Sequence, residues 1–142
     1  MDHVAIIQRP YLRAILAGRK RVEARLSNAR RAPFDRLCVG DRVYLKARGG
    51  GFEGVALVAR VLTSNALGPC DVDALRRRFG RQIQADRRFW AAHRSARYAT
   101  LIWLAEVSTS TTGPAYQSWP GYNPRSGWHC EARFRPNRPL SA

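Results

Sequence analysis

Lysine is nearly missing from this chain of 142 residues: Lys20 and Lys46 stand against 23 arginines. Acids are scarce too, ten against 25 basic residues, leaving a formal net charge of +15 and a pI near 11.4. A field of that sign attracts polyanions, of which nucleic acid is the commonest. A genome that favours arginine accounts for Arg over Lys, but not for the shortage of acids. Cysteine occurs three times, at Cys38, Cys70 and Cys130. The odd count and wide spacing exclude a disulfide framework and suit a reducing compartment. No apolar run approaches the ~20 residues that span a bilayer, and no signal-peptide pattern follows Met1, so a soluble cytoplasmic protein is expected. The sequence has no Cys-x-x-Cys or His-x-x-x-His spacing, and His129 beside Cys130 lies far from His3, His93, Cys38 and Cys70. Neither a zinc site nor a cofactor is therefore expected. Gly49, Gly50 and Gly51 lack a following Gly-Lys-Ser/Thr, which excludes a phosphate loop and leaves a hairpin.

The apolar fraction of 45% is enough to fold, and the length suits one domain, expected over residues 1–134 with a tail at 135–142. Residues 3–8 read as a strand. Pro10 suits the first turn of a helix that carries Leu12, Ile15 and Leu16 and stops at Gly18. A second strand is predicted at 20–26 and an exposed loop at 27–37. Residues 42–46 alternate as a half-buried strand and 52–62 return from the glycine hairpin. Asp71 can cap a helix with Val72, Leu75 and Phe79, stopped by Gly80. A further helix is predicted at 82–94, with Ile83 and Trp90 inside. The strand at 97–107 has an unbroken apolar centre and is expected to be buried on both faces. An irregular loop at 113–127 precedes a last strand at 128–134. No internal repeats are present. This order predicts an α+β fold: a small, mostly antiparallel β-barrel with flanking helices.

The chemistry concentrates in the octet 18–25, Gly-Arg-Lys-Arg-Val-Glu-Ala-Arg, between the first helix and the second strand. A lysine amine, unlike a guanidinium, can be tuned to act as base or nucleophile. Nearby Arg19, Arg21 and Arg25, and burial in a cleft, would lower the pKa of Lys20. A neutral Lys20 could deprotonate water or a ribose hydroxyl; a charged one would bind phosphate. Glu23 and Arg25 share a strand face. Lys20 joins them only if a turn or bulge breaks the strand near Arg21, which the exit at Gly18 allows. Glu23 could then orient Lys20, accept a proton, or pair with Arg25 and aim it at a phosphate or base edge. Tyr44 and Lys46 share another strand face, where Tyr44 either stacks on a base or belongs to the barrel wall. Trp119, Tyr122 and Trp128 interleave with Arg125 and Ser126, a pattern that suits unstacked bases or pins the loop over the core. Only His129 stands near Ser126 in sequence, a weak basis for a nucleophile. Arg76, Arg77, Arg78, Arg81, Arg87 and Arg88 offer salt-sensitive phosphate affinity without sequence readout.

In this setting the octet resembles the Gly-x-Lys-x-x-Glu-x-Arg signature of the ASCH family, a branch of the PUA-like barrels, at Gly18, Lys20, Glu23 and Arg25. Arg9-Pro10-Tyr11, the segment Gly40-Asp41-Arg42-Val43-Tyr44-Leu45, and Arg125-Ser126-Gly127-Trp128 extend the likeness to about Arg133. The resemblance implies a cleft between barrel and first helix, lined by the octet, that takes RNA or modified nucleosides. Arg19, Arg21, Arg25 and Arg125 are the expected ligand contacts. Amidohydrolase-type relatives, acting on N4-acetylcytidine, use a Lys, a Thr and a distant Glu; Lys20 matches the Lys, but Glu23 stands where the Thr would be. Ribonuclease-type relatives involve a Tyr, a Lys and a Ser, with Tyr44, Lys46 and Ser126 as counterparts. The expectation is RNA binding through a basic cleft, with metal-independent hydrolysis through Lys20, Glu23, Tyr44 and Lys46 as one alternative. A protein-interaction domain kept soluble by its charge is another.

Overall fold

The computed structural model describes residues 1–132, so the end of the last predicted strand and the predicted tail lie outside the described residues. The chain runs β1 (Asp2–Ile7), α1 (Arg9–Leu16), β2 (Val22–Ser27), β3 (Arg42–Ala47), β4 (Phe52–Ser64), α2 (Pro69–Ile83), α3 (Arg87–Ala92), β5 (Tyr98–Thr109), a 3-10 turn at Tyr116–Ser118, and β6 (Trp128–Cys130). One six-stranded sheet has the order β2-β5-β4-β3-β1-β6. β1 and β3 pair in parallel and the other ladders are antiparallel. The β4–β5 ladder shifts register between Val55 and Leu57 and again between Val58 and Arg60. Such bulges bend and twist a sheet, and this one curls into a half-barrel with three helices, the α+β architecture expected. Among the described residues no helix is long and apolar enough to cross a membrane.

Strand alternation gives the sheet two cores. Leu101 of β5 packs with Val22, Ala24, Val72, Phe79, Ile83 and Trp90 under α2 and α3. Its neighbour Ile102 points into the barrel, with Ile7, Leu12, Ile15, Leu45, Val58 and Trp128. The apolar centre of β5 is thus buried on both faces at these two positions, while Trp103 and Leu104 are half-buried. Helix α1 docks where β4 has no side chain. A Cβ at Gly54 would lie 2.8 Å from Leu16 Cδ2 and 3.0 Å from the Ser108 carbonyl oxygen. Gly54→Ala is expected to cost about 1–3 kcal/mol by overpacking, read as a lower urea midpoint at unchanged m-value.

Several boundaries differ from the sequence reading. α2 starts at Pro69, with Gly68 at the cap; Asp71 sits inside the first turn and accepts from the Gly68 N–H at 2.7 Å. Gly80 does not stop it. Val72, Phe79 and Ile83 form one buried stripe, and burying Ile83 outweighs the roughly 1 kcal/mol cost of a helical glycine. The helix ends at Gln84, in the left-handed region at φ 55°. The helix predicted at 82–94 therefore splits, Ile83 belonging to α2 and Trp90 to α3. α3 has its own cap, Asp86 Oδ1 accepting from Phe89 N–H at 2.9 Å. The loop after β2 is not simply exposed: Pro33 and Leu37 are buried and Phe34 is half-buried.

Candidate nucleotide cleft

The exit of α1 decides where Lys20 goes. Gly18 takes φ +79°, and the N–H groups of Arg19 and Lys20 both donate to the Ala14 carbonyl, at 2.9 and 3.0 Å. This turn delays β2 to Val22 and rotates Lys20 onto the side of Glu23. Lys20 is 3% exposed. Its Nζ donates to the Ile83 carbonyl at 2.5 Å, lies 3.5 Å from Glu23 Oε1, and sits 5.2 Å from the centre of the Tyr11 ring. Glu23, 6% exposed, accepts from Ala24 N–H at 3.2 Å and from Arg25 Nη2 at 3.2 Å. Arg25 also donates from Nη2 to the Ile6 carbonyl at 3.0 Å and from Nη1 to the Gly127 carbonyl at 3.1 Å, with its guanidinium 5.3 Å from the Trp128 ring centre.

The electrostatics follow. Burial pushes Glu23 upward, but Arg25 and then Lys20 outweigh it and hold the carboxyl below its ordinary range. Burial lowers Lys20; Glu23 works against that and Arg25 adds to it. The site therefore presents an ionised carboxylate whose cationic partners are already engaged.

A cleft of about 370 Å³ opens above this group. Glu23, Arg25 and Thr100 form its floor, Thr100 standing opposite Arg25 in the β2–β5 ladder. Phe34 and Tyr98 wall one side in an edge-to-face pair at 5.3 Å, with the Arg30 guanidinium 5.6 and 5.7 Å from their ring centres. Tyr11 of α1, Phe89 of α3 and His93 at the end of that helix also line the cleft. Arg31, Arg48 and Arg125 are exposed at its edge.

The turn thus gathers Lys20, Glu23 and Arg25, and the late loop brings Arg125 and Ser126 to the same cleft. Lys20 does not itself line the cleft, whereas its partners Glu23 and Tyr11 do. Lys46 lines a neighbouring hollow that shares Arg48, Arg125 and Ser126. Three expected residues do not join. Arg19 and Arg21 are thrown outward by the turn and line neither space. Tyr44 belongs to the barrel wall, its ring edge-to-face with Phe52 at 6.1 Å and its hydroxyl accepting from Arg42 Nη1 at 3.3 Å. Ser126 Oγ donates to the Trp128 carbonyl at 2.6 Å and accepts from Trp128 N–H at 3.2 Å, so the hydroxyl shapes the turn. Trp128 pins the loop: it is buried and its indole N–H donates to His3 Nδ1 at 3.2 Å. Because an indole nitrogen can only donate, His3 carries its proton on Nε2, directed at Asp41 Oδ2 2.9 Å away.

The sequence reading missed Arg31, Phe34, Arg48, Phe89, His93 and Tyr98. The apolar Ala32-Pro33-Phe34 step inside an otherwise polar loop was the available signal that this loop packs against something. His129 was noted only as a neighbour of Ser126. It stacks on Tyr122 at 5.3 Å and lies 4.8 Å from Tyr116. Burial lowers its pKa, a backbone hydrogen bond at Ser126 opposes this, and the Lys46 charge adds to it.

Neither family models nor curated protein sequences match the chain. Solved structures do. The ASCH protein of Zymomonas mobilis superposes with a TM-score of 0.61 at 21% identity, over 76% of this chain and 69% of that one. Its tyrosine-to-phenylalanine variant gives 0.61 at 21% identity, over 76% and 71%. Its serine-to-alanine variant gives 0.59 at 20% identity, over 76% and 70%. At this identity the likeness speaks for the backbone architecture, and the chain has an ASCH-type fold.

Proposed function

We propose that the chain binds RNA, or a nucleotide-like ligand, in the cleft over Glu23. One observation carries the reading: aromatic walls stand over a buried, ionised acceptor, inside a rim of exposed arginines. Phe34, Tyr98 and Phe89 offer faces on which an unstacked base can lie. Glu23 can accept from an exocyclic amino or ring N–H of that base, as carboxylates do with cytosine. Arg31, Arg48 and Arg125 suit the phosphate, whose contacts carry affinity without sequence information. The volume falls in the range of small-ligand sites. Binding is favoured over hydrolysis because the Lys20 amine is held by Ile83 and Glu23 and does not line the cleft.

The test is fluorescence anisotropy with a short single-stranded RNA over a salt series. Log affinity should fall linearly with log salt, and the Arg48→Ala and Arg125→Ala variants should each reduce the slope by about 0.7, one phosphate contact on a single strand. Affinity indifferent to salt would overturn the reading and favour a protein-interaction domain. Mass spectrometry of the recovered RNA, carrying one N4-acetylcytidine and incubated without added metal, should return it intact. Scission or loss of the acetyl group would move the assignment to a hydrolase.

A further inference from the structure

We propose that a second nucleotide subsite adjoins the cleft, so that the ligand is a strand of at least two nucleotides rather than a free nucleoside. The inference rests on the RNA reading above and extends it. Beside the cleft lies a hollow of about 400 Å³. The two share Ile6, Arg48, Arg125, Ser126 and Gly127 as common lining, so they adjoin with Arg48 and Arg125 between them.

The hollow has the components a second nucleotide needs. Tyr122 lines it and, at 37% exposed, is one of two large hydrophobic side chains turned to solvent among the described residues. An aromatic left at the surface is usually mobile, but this one is backed. It stacks on His129 at an interplanar angle of 29° and meets Tyr116 edge-on at 6.0 Å. The result is a fixed aromatic face, at low ordering cost, on which a base can stack. Lys46, one of only two lysines in the chain, lines the same hollow, and no carboxylate does. Three cations around a space without an acid attract an anion. A phosphodiester crossing the junction would meet Arg48 and Arg125, with its first base over Glu23 and its second against Tyr122. This placement uses Lys46 and Tyr122, to which the first cleft assigns no task.

Isothermal titration with the four ribonucleoside 5′-monophosphates and the matching 5′-phosphorylated dinucleotides tests the proposal. The best dinucleotide should bind roughly tenfold or more tightly than its mononucleotide, the gain of one stacked base and one bridging phosphate. Tyr122→Ala and Lys46→Met should remove most of that gain and leave mononucleotide affinity as it was. Tyr122 lies at the surface and Lys46→Met keeps the aliphatic stem, and circular dichroism is to check that each variant is folded. Equal affinity for mono- and dinucleotide, or variants that weaken both alike, would overturn the second subsite while leaving the first standing. Failure of every probe to bind would overturn both readings.

Discussion

Glu23→Ala is expected to destabilise the protein by about 3–5 kcal/mol, because it leaves buried positive charge without its counter-ion. The loss should fall on both cations. Lys20, almost wholly buried, would keep only the Ile83 carbonyl and the face of Tyr11, and Arg25 would lose one of its three acceptors. Lys20→Met should cost much less. Glu23 then retains Arg25 and the Ala24 N–H, the methionine fills the space of the lysine stem, and the desolvated ammonium is gone. The double variant should recover part of the Glu23→Ala loss, since the charge left stranded has been removed. Urea denaturation of the four proteins measures the cycle; a double variant that costs the sum of the two single variants would show that the pair is not coupled. The pH dependence has a definite sign. Glu23 titrates lower in the folded state than in the unfolded chain, so its contribution is present above about pH 4.3 and is lost as pH falls through its folded value. Lys20 also titrates lower when folded. It opposes folding at neutral pH, and stability rises with pH between its folded pKa and about 10.4. Asp41 adds a second acid-sensitive group: burial raises it, but the Cys38 N–H, His3 and the amino group of Met1 hold it below its ordinary range. Subtracting the profile of the Glu23→Ala, Lys20→Met variant from that of the wild type cancels Asp41 and leaves the octet.

What could be read in the sequence divides along a physical line. Strand alternation, helix periodicity and the unbroken apolar centre of β5 located the strands and the helical regions, since burial leaves a local record. The clustering of Lys20, Glu23 and Arg25 was legible too, including the condition that a break near Arg21 must precede the strand if Lys20 is to meet Glu23. Helix ends were harder. Gly80 carries a local stop signal, and the stripe that overrides it depends on Ile83 meeting a core supplied by β2 and β5. Tyr44 and Phe34 show the same limit in the candidate site. The first was left open between a base platform and the barrel wall, and pairs with Phe52; the other lay in a loop read as exposed and forms a wall of the cleft. Which face an aromatic serves is settled by partners distant in sequence, and neither position carries that information locally.

The same non-local logic makes Arg25 the other substitution with a large expected effect. β2 ends one side of the sheet, and β1 and β6 end the other. The Arg25 guanidinium joins these two ends across the open side of the half-barrel, donating to Ile6 of β1 and to Gly127 just before β6. It thus supplies, with side-chain N–H groups, a closure that backbone pairing does not make there. Arg25→Met should lose these charge-assisted bonds and weaken the hold on Glu23, costing about 3 kcal/mol. RNA affinity should fall more than tenfold, although Arg25 spends its donors on carbonyls and Glu23, because the segment it anchors carries Arg125 and Ser126 to the cleft edge. Arg25→Lys separates charge from geometry. An ammonium keeps the positive charge, but it has no planar fork to span Ile6, Gly127 and Glu23 together. If Arg25 acts as the closing brace, the lysine variant should bind RNA almost as poorly as the methionine variant, with the salt slope lowered in both as Arg125 leaves the cleft edge. Wild-type affinity in Arg25→Lys would instead make Arg25 a phosphate contact, and the half-barrel would have to hold its mouth in place without it.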